Sequence, residues 1–223
     1  MRSVSAVGYP FLPSLLLAPW LALLLVGCVA TSPSEARFAE LAPLNVSETE
    51  IHGVNGTQLL DIEDIPETLR VDSSTEFGAA EAFSAASLSP DGRWLVLATT
   101  GAAHGAGWLV PAGEREPWPA AFQYGGEVAP GPWSENGRYA TFVLEGPAPT
   151  RTLVVIDSRA LGKTVNDNAR PVRIPAHTER LPAGTEYRVL EWHDDTLHFE
   201  VEGQRYRYKP ATGGVRRNDA PPR

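Results

Sequence analysis

From residue 83 onward, short apolar or alternating runs are separated by clusters of turn residues. SLSPDGRWLVL (87–97), GWLVPAG (107–113), PWSENGRYATFV (132–143), TLVVIDSRALGK (152–163), VLEWHDDTLHFEV (189–201) and YRYKPATGG (206–214) all fit strands bounded by tight turns. The pattern predicts an all-β domain over residues 83–217. Upstream, SEARFAEL (34–41) sets Ser34 as an N-cap ahead of Phe38 and Leu41, with Pro43 as the stop, and predicts one or two helical turns. No other segment reads as helical. Residues 44–82 are an acidic, mixed segment with a strand at 58–62 and a weaker one at 68–71.

Two of the runs are copies of one unit. Ser89, Asp91, Gly92, Arg93 and Trp94 align with Ser134, Asn136, Gly137, Arg138 and Tyr139 at a spacing of 45 residues. Each copy is written as strand, turn, strand. Pro90 presets φ at the first central turn position, Asp91 can bond its own backbone, and Gly92 accepts a positive φ. Asn136-Gly137 is a strong hairpin signal in its own right. A third, more degenerate copy has Trp192 in the place of Trp133. A two-residue turn at Asp194-Asp195 sets Trp192 opposite Leu197 and Leu190 opposite Phe199 on one face. Glu191, His193, Thr196, His198 and Glu200 are left on the wet face.

A period of about 40–45 residues with about four strands per copy is the arithmetic of a β-propeller blade. Ser89-Pro90-Asp91-Gly92-Arg93 resembles the short motif of TolB-like repeats in bacterial periplasmic propellers, Ser-Pro-Asp-Gly-Arg/Lys followed by an apolar strand. The second copy keeps Ser134, Gly137 and Arg138 but has Glu-Asn for Pro-Asp, and the third keeps little beyond Trp192. The resemblance covers about residues 83–217 and implies about three β-propeller-like blades in a partial or open propeller. Closed propellers have about 4–8 blades, so a divergent fourth blade from 44–82, or a homodimer completing one ring, are the alternatives. The preferred reading packs the N-terminal segment against an edge. In peptidases with similar repeats a separate hydrolase domain performs the chemistry, and no Gly-x-Ser-x-Gly elbow occurs in this chain. The expectation is therefore that the chain is not an enzyme.

Residues 11–27, FLPSLLLAPWLALLLVG, are uncharged, and Arg2 is the sole charge in the first 28 residues. The run falls short of the about 20 apolar residues a spanning helix needs, is broken by Pro13 and Pro19, and is followed by TSPSE, so it fits a secretory signal. It ends on Leu25-Val26-Gly27-Cys28, which resembles the lipobox of bacterial lipoproteins. That resemblance implies a removed signal (1–27), a diacylglyceryl thioether and an acylated amine such as palmitate on Cys28, and a tether with a short helix (28–43). Val29, where an Asp would retain the protein at the inner membrane, implies an outer-membrane location facing the periplasm. The membrane, reached through the lipid, is the first expected partner.

Composition adds exclusions. The chain has 223 residues, a net charge of −8 and one Cys, which rules out an internal disulfide and a cysteine-ligated zinc site. Residues 29–91 hold 12 Asp/Glu against Arg37 and Arg70, while 201–223 hold six Lys/Arg against Glu202 and Asp219. The acidic half argues against nucleic acid, and residues 218–223 read as a frayed tail. No metal or cofactor is expected: His193 and His198 lack a helical ligand spacing, and Glu191 across from His198 makes a charge pair. GAAHGAG (101–107) precedes a strand, not a helix, and reads as a flexible hairpin connection instead of a phosphate loop. EPWPAAFQYGGE (116–127) reads as a loop that gathers the candidate partner-binding residues Trp118, Phe122 and Tyr124. The leading expectation is a lipid-anchored, non-catalytic module that binds or scaffolds another envelope protein; the alternative is a saccharide or small-ligand binder using the same aromatics. Catalysis would need a cleft joining His104, His177, His193 or His198 to a serine or a carboxylate.

Overall fold

The computed structural model describes residues 38–147, 151–176 and 184–218. The chain separates into two units, Met1–Ser32 and Pro33–Arg223, and the described residues belong to the second. The signal segment with Leu25, Val26, Gly27 and Cys28, the first part of the expected helix, His177 and residues 219–223 lie outside the described residues.

β1 (Asn45–Val46), β2 (Glu50–His52) and β3 (Gln58–Asp61) form a three-stranded sheet, and β4 (Leu69–Arg70) pairs with β5 (Glu76–Phe77). Three four-stranded antiparallel meanders follow in chain order. The first holds β6 (Ala82–Leu88), β7 (Trp94–Gly101), β8 (His104–Pro111) and β9 (Trp118–Tyr124). The second holds β10 (Glu127–Pro130), β11 (Tyr139–Glu145), β12 (Arg151–Asp157) and β13 (Arg170–Val172), with the four-residue α1 (Val165–Asn168) before its last strand. The third holds β14 (Tyr187–His193), β15 (Thr196–Val201), β16 (Gln204–Lys209) and β17 (Gly214–Arg217). The all-β expectation holds. Of the expected helix at 34–41, the described part is a 3-10 turn over Ala39–Leu41.

The sheets stack in sequence order, each interface a separate hydrophobic cluster. Ile51 and Leu60 meet Leu95, Leu97 and Trp108. Val96 and Leu109 meet Phe142, Val154 and Ile156. Tyr139, Leu153 and Val155 meet Trp192, Phe199 and Tyr206. Alternate side chains of β7 and β11 therefore face opposite neighbours and are buried on both sides, which explains their near-continuous apolar runs. The N-terminal sheet covers a face of the first meander, with Ile51 and Leu60 0% and 1% exposed, and it also meets the edge strand β6, where the Phe83 amide donates to the Glu48 carbonyl (2.8 Å).

The repeated turn is held by side-chain bonds. Ser89 Oγ donates to Asp91 Oδ1 (2.6 Å) and accepts from the Trp94 amide (3.0 Å), while the Arg93 amide donates to the same Asp91 oxygen (3.2 Å). Ser134, Tyr139, Arg138 and Asn136 repeat these bonds at 2.9, 2.8 and 3.0 Å. One side-chain oxygen is all the motif requires at its third position, so Asp and Asn interchange. Gly92 and Gly137 sit at φ +67° and +68°, where a Cβ would be strained. In the third meander Asp194 and Asp195 take φ 45° and 56° in a two-residue hairpin. Trp192 pairs with Leu197 and Glu191 with His198 as the spacing predicts, but a bulge at Leu190 sets Val189 opposite Phe199 instead.

GAAHGAG is not a flexible connection. Only Ala102 and Ala103 lie between β7 and β8. Gly105 and Gly107 are strand residues kept bare by close packing: a Cβ on Gly105 would lie 2.8 Å from the Val128 nitrogen, and one on Gly107 2.5 Å from the Phe142 ring.

Candidate functional site

The aromatic stretch read as a loop is strand β9, the outer strand of the first meander. Its alternation is masked by two prolines, two alanines and a register shift in which Ala120 is skipped. The strand places its three aromatics in two different environments.

At the start of β9, Trp118 lines a cleft of about 250 Å³ with Trp108, Pro66, Arg70, Glu116 and Lys163. Trp108 is buried, and its indole N–H donates to Thr99 Oγ1 at 3.0 Å. The cleft thus joins an aromatic and proline wall to two cations and one carboxylate. Such a wall stacks a flat apolar face while the charged rim orients polar groups.

At the other end of β9, Phe122 and Tyr124 join Phe77 of β5 and His104 of β8. The Phe77 ring lies 4.4 Å from Phe122, 5.5 Å from His104 and 6.0 Å from Tyr124. Phe77 and Phe122 are half-buried, whereas Tyr124 is 62% exposed. Burial pushes the His104 imidazole below its ordinary value, against the opposing charge of Glu81. Tyr124 is thus an exposed ring on a packed aromatic base, the arrangement common at protein contact hot spots. His104 stands directly opposite Tyr124 across β8 and β9, whereas Phe77, which no sequence pattern marks, reaches the cluster only through the β4–β5 ribbon folding over the first meander. Trp118 and Tyr124, six strand residues apart, are about 20 Å from each other and do not form one patch.

The repeat turns form a second feature. Asn136 Nδ2 donates to Asp195 Oδ1 at 2.7 Å, joining turns of the second and third meanders. Gly137 lies against Asp91 of the first, so close that a Cβ would sit 2.6 Å from its carboxyl carbon. Arg138 forks onto Asp157 through Nε (3.1 Å) and Nη2 (2.7 Å). Burial alone would raise the Asp157 carboxyl, but the Arg138 fork and the Arg159 amide outweigh it and hold the group below the usual carboxylate range. These contacts tie sheet to sheet. The remaining histidines are dispersed: His193 and His198 lie on the third meander, and His52 bonds Glu50 at 3.1 Å. Among the described residues, no group of three or more His, Cys, Asp or Glu side chains could hold a metal ion.

No family model matches the chain, and no curated protein matches it. Among solved structures it is similar to a prolyl endopeptidase, with 15% identity and a TM-score of 0.45, over 77% of this chain and 24% of that one. It is also similar to a protein of Agrobacterium tumefaciens assigned as TolB, with 15% identity and a TM-score of 0.42, over 79% of this chain and 57% of that one. The chain spans less than two thirds of the length of each. The expectation that the chain is not an enzyme is corrected: a prolyl endopeptidase stands among the structures it resembles, and the exclusion of catalysis is withdrawn.

Proposed function

We propose that this chain is a lipid-anchored, periplasm-facing β-repeat protein of the bacterial outer membrane that binds another envelope protein. Its sheets would act as propeller-like blades, and the Phe77–Phe122–Tyr124 cluster would be the contact. The observation that carries the reading is Tyr124, an exposed aromatic ring seated on Phe77. Lipid attachment at Cys28 would hold this surface at the membrane, since two or more acyl chains anchor firmly where one does not. Capture from a detergent-solubilised envelope tests the contact: Tyr124→Ala should abolish recovery of a specific partner, while Val54→Ser, which changes the other large exposed apolar side chain among the described residues, should leave it unchanged. Equal recovery with both variants would reject the assignment. For the anchor, Cys28→Ser should end palmitate labelling and move the protein out of the membrane fraction. A solution mass of twice the chain would favour ring completion by a second copy.

The Trp118 cleft supports a second reading, a saccharide or small-ligand site that stacks a sugar face on the indole. A glycan that raises the melting temperature in wild type but not in Trp118→Ala would establish it.

A further inference from the structure

The outer face of the third meander carries charge in two rows that are built differently. In one row, Arg188 of β14, Glu200 of β15 and Arg205 of β16 stand side by side across the strands. Their signs alternate, and Arg188 Nη2 meets Glu200 Oε1 at 2.7 Å. In the next row, His198 of β15 pairs with Arg207 of β16, which pairs with Arg216 of β17. Side chains directly opposite on one face are about 5 Å apart at Cβ, and like charges there are destabilising. Glu191 faces His198 from the far end of this row, and Asp194 is engaged with His193 at 3.4 Å. Among the described residues, no carboxylate forms an ion pair with Arg207, Arg216 or Lys209, which lies two positions along β16 from Arg207. A chain of net charge −8 thus keeps three fixed cations together on one sheet face.

These cations line a groove of about 720 Å³ with His193, His198, Thr196 and Thr212, and with one carboxylate, Asp194. They converge from adjacent strands onto one volume. A planar carboxylate is saturated by a single guanidinium fork, whereas a tetrahedral group with three or more acceptor oxygens engages two forks and an ammonium together. We propose that this groove is a binding site for a soluble phosphate ester, with Arg207 and Arg216 as its two forks, Lys209 as a further positive charge and Thr212 as a hydroxyl donor. A bound dianion removes the repulsion along the row, which is why the row lacks the alternation of its neighbour. The site is independent of the aromatic cluster on β9 and of the anchor.

Pyrophosphate is the probe, and the full chain in detergent is the protein. Calorimetric titration at low salt should show saturable binding, and pyrophosphate should raise the melting temperature. The double variant Arg207→Gln/Arg216→Gln should lose affinity by about tenfold or more, with a ligand-free melting temperature no lower than wild type because the repulsion is gone. Arg205→Gln, in the alternating row, should change affinity by less than about twofold. Should the double variant fold poorly, Arg216→Gln alone, on the outer strand, carries the same readout. Absence of saturation, or an equal loss in Arg205→Gln, would overturn the site. So would binding to phosphatidic acid vesicles without binding to pyrophosphate, or a salt-sensitive self-association that pyrophosphate does not compete.

Discussion

Trp133 and Trp192 occupy matching places in successive repeats, yet their indoles are treated differently. The Trp192 N–H donates to the Pro132 carbonyl (3.0 Å) and to Thr141 Oγ1 (3.1 Å) of the preceding sheet. The Trp133 N–H is buried and has no partner among the described residues. The residue 45 positions before Thr141 is Val96, which lies in the same cluster as Trp133 and is fully buried. The repeat therefore has a threonine at one interface and a valine at the other. Val96→Thr should supply the missing acceptor and leave stability unchanged or raised by up to about 1 kcal/mol. The same change at Val110, buried in the cluster on the opposite face, should lower it by about 1–3 kcal/mol because the new hydroxyl finds no donor waiting. Equal losses in denaturant titrations would show that Trp133 does not depend on position 96. A second residue-scale expectation concerns acid. Asp157 is held below its ordinary value in the folded chain, so its contribution is fully present above the unfolded carboxylate range near pH 4 and is lost as pH falls through the folded value. Asp157→Asn should lower stability at pH 7, and the gap to wild type should narrow below about pH 4; a gap independent of pH would mean the Arg138 fork contributes nothing.

At the scale of elements, close approach of sheets is set by what is missing from strands. Gly107 lies under the Phe142 ring, and Gly126 leaves no room at all against the Glu145 carbonyl. Gly107→Ala should cost about 1–3 kcal/mol by overpacking. Combined with Phe142→Leu, which removes part of the ring, the pair should lose less than the sum of the single changes, a coupling measurable in a double-mutant cycle. Strict additivity would place the strain elsewhere. These contacts also mark where the sequence was legible. Ser89-Pro90-Asp91-Gly92-Arg93 announced its turn because every bond in it is local, within five residues. The wet and dry faces of β15 were readable for a similar reason, since a two-residue hairpin fixes register. GAAHGAG and EPWPAAFQYGGE misled because their small residues and prolines answer to neighbouring sheets, a relation with no local signature. The bulge at Leu190 and the meeting of Phe77 with Phe122 belong to the same class.

Across the whole described unit, the sheets meet mainly the layers before and after them, with one tie that skips a layer, from the Asn166 amide to the Val71 carbonyl (3.0 Å), so stability should be distributed much as in a quasi-one-dimensional array. The inner meanders, with β7, β8, β11 and β12, are covered on both faces. The end layers bury one face each and leave polar side chains on the other, Glu50 and Asp61 at the start and Arg207 and Arg216 at the finish. Apolar ends would invite further stacking; charged side chains, costly to desolvate, oppose it. Native-state hydrogen exchange separates a graded array from a single cooperative block. Amides of Val96, Leu97, Phe142 and Val155 should exchange slowest, and those of Ile51, Leu60, Arg207 and Tyr208 should open at lower free energy. Since the end layers are covered on one face and the inner meanders on both, denaturant should bring the end layers into exchange before the centre. Merging of all these amides into one isotherm even in the absence of denaturant would instead mean that the cross-sheet ties, the Asn136–Asp195 bond and the Trp192–Thr141 bond among them, couple the layers into one folding unit.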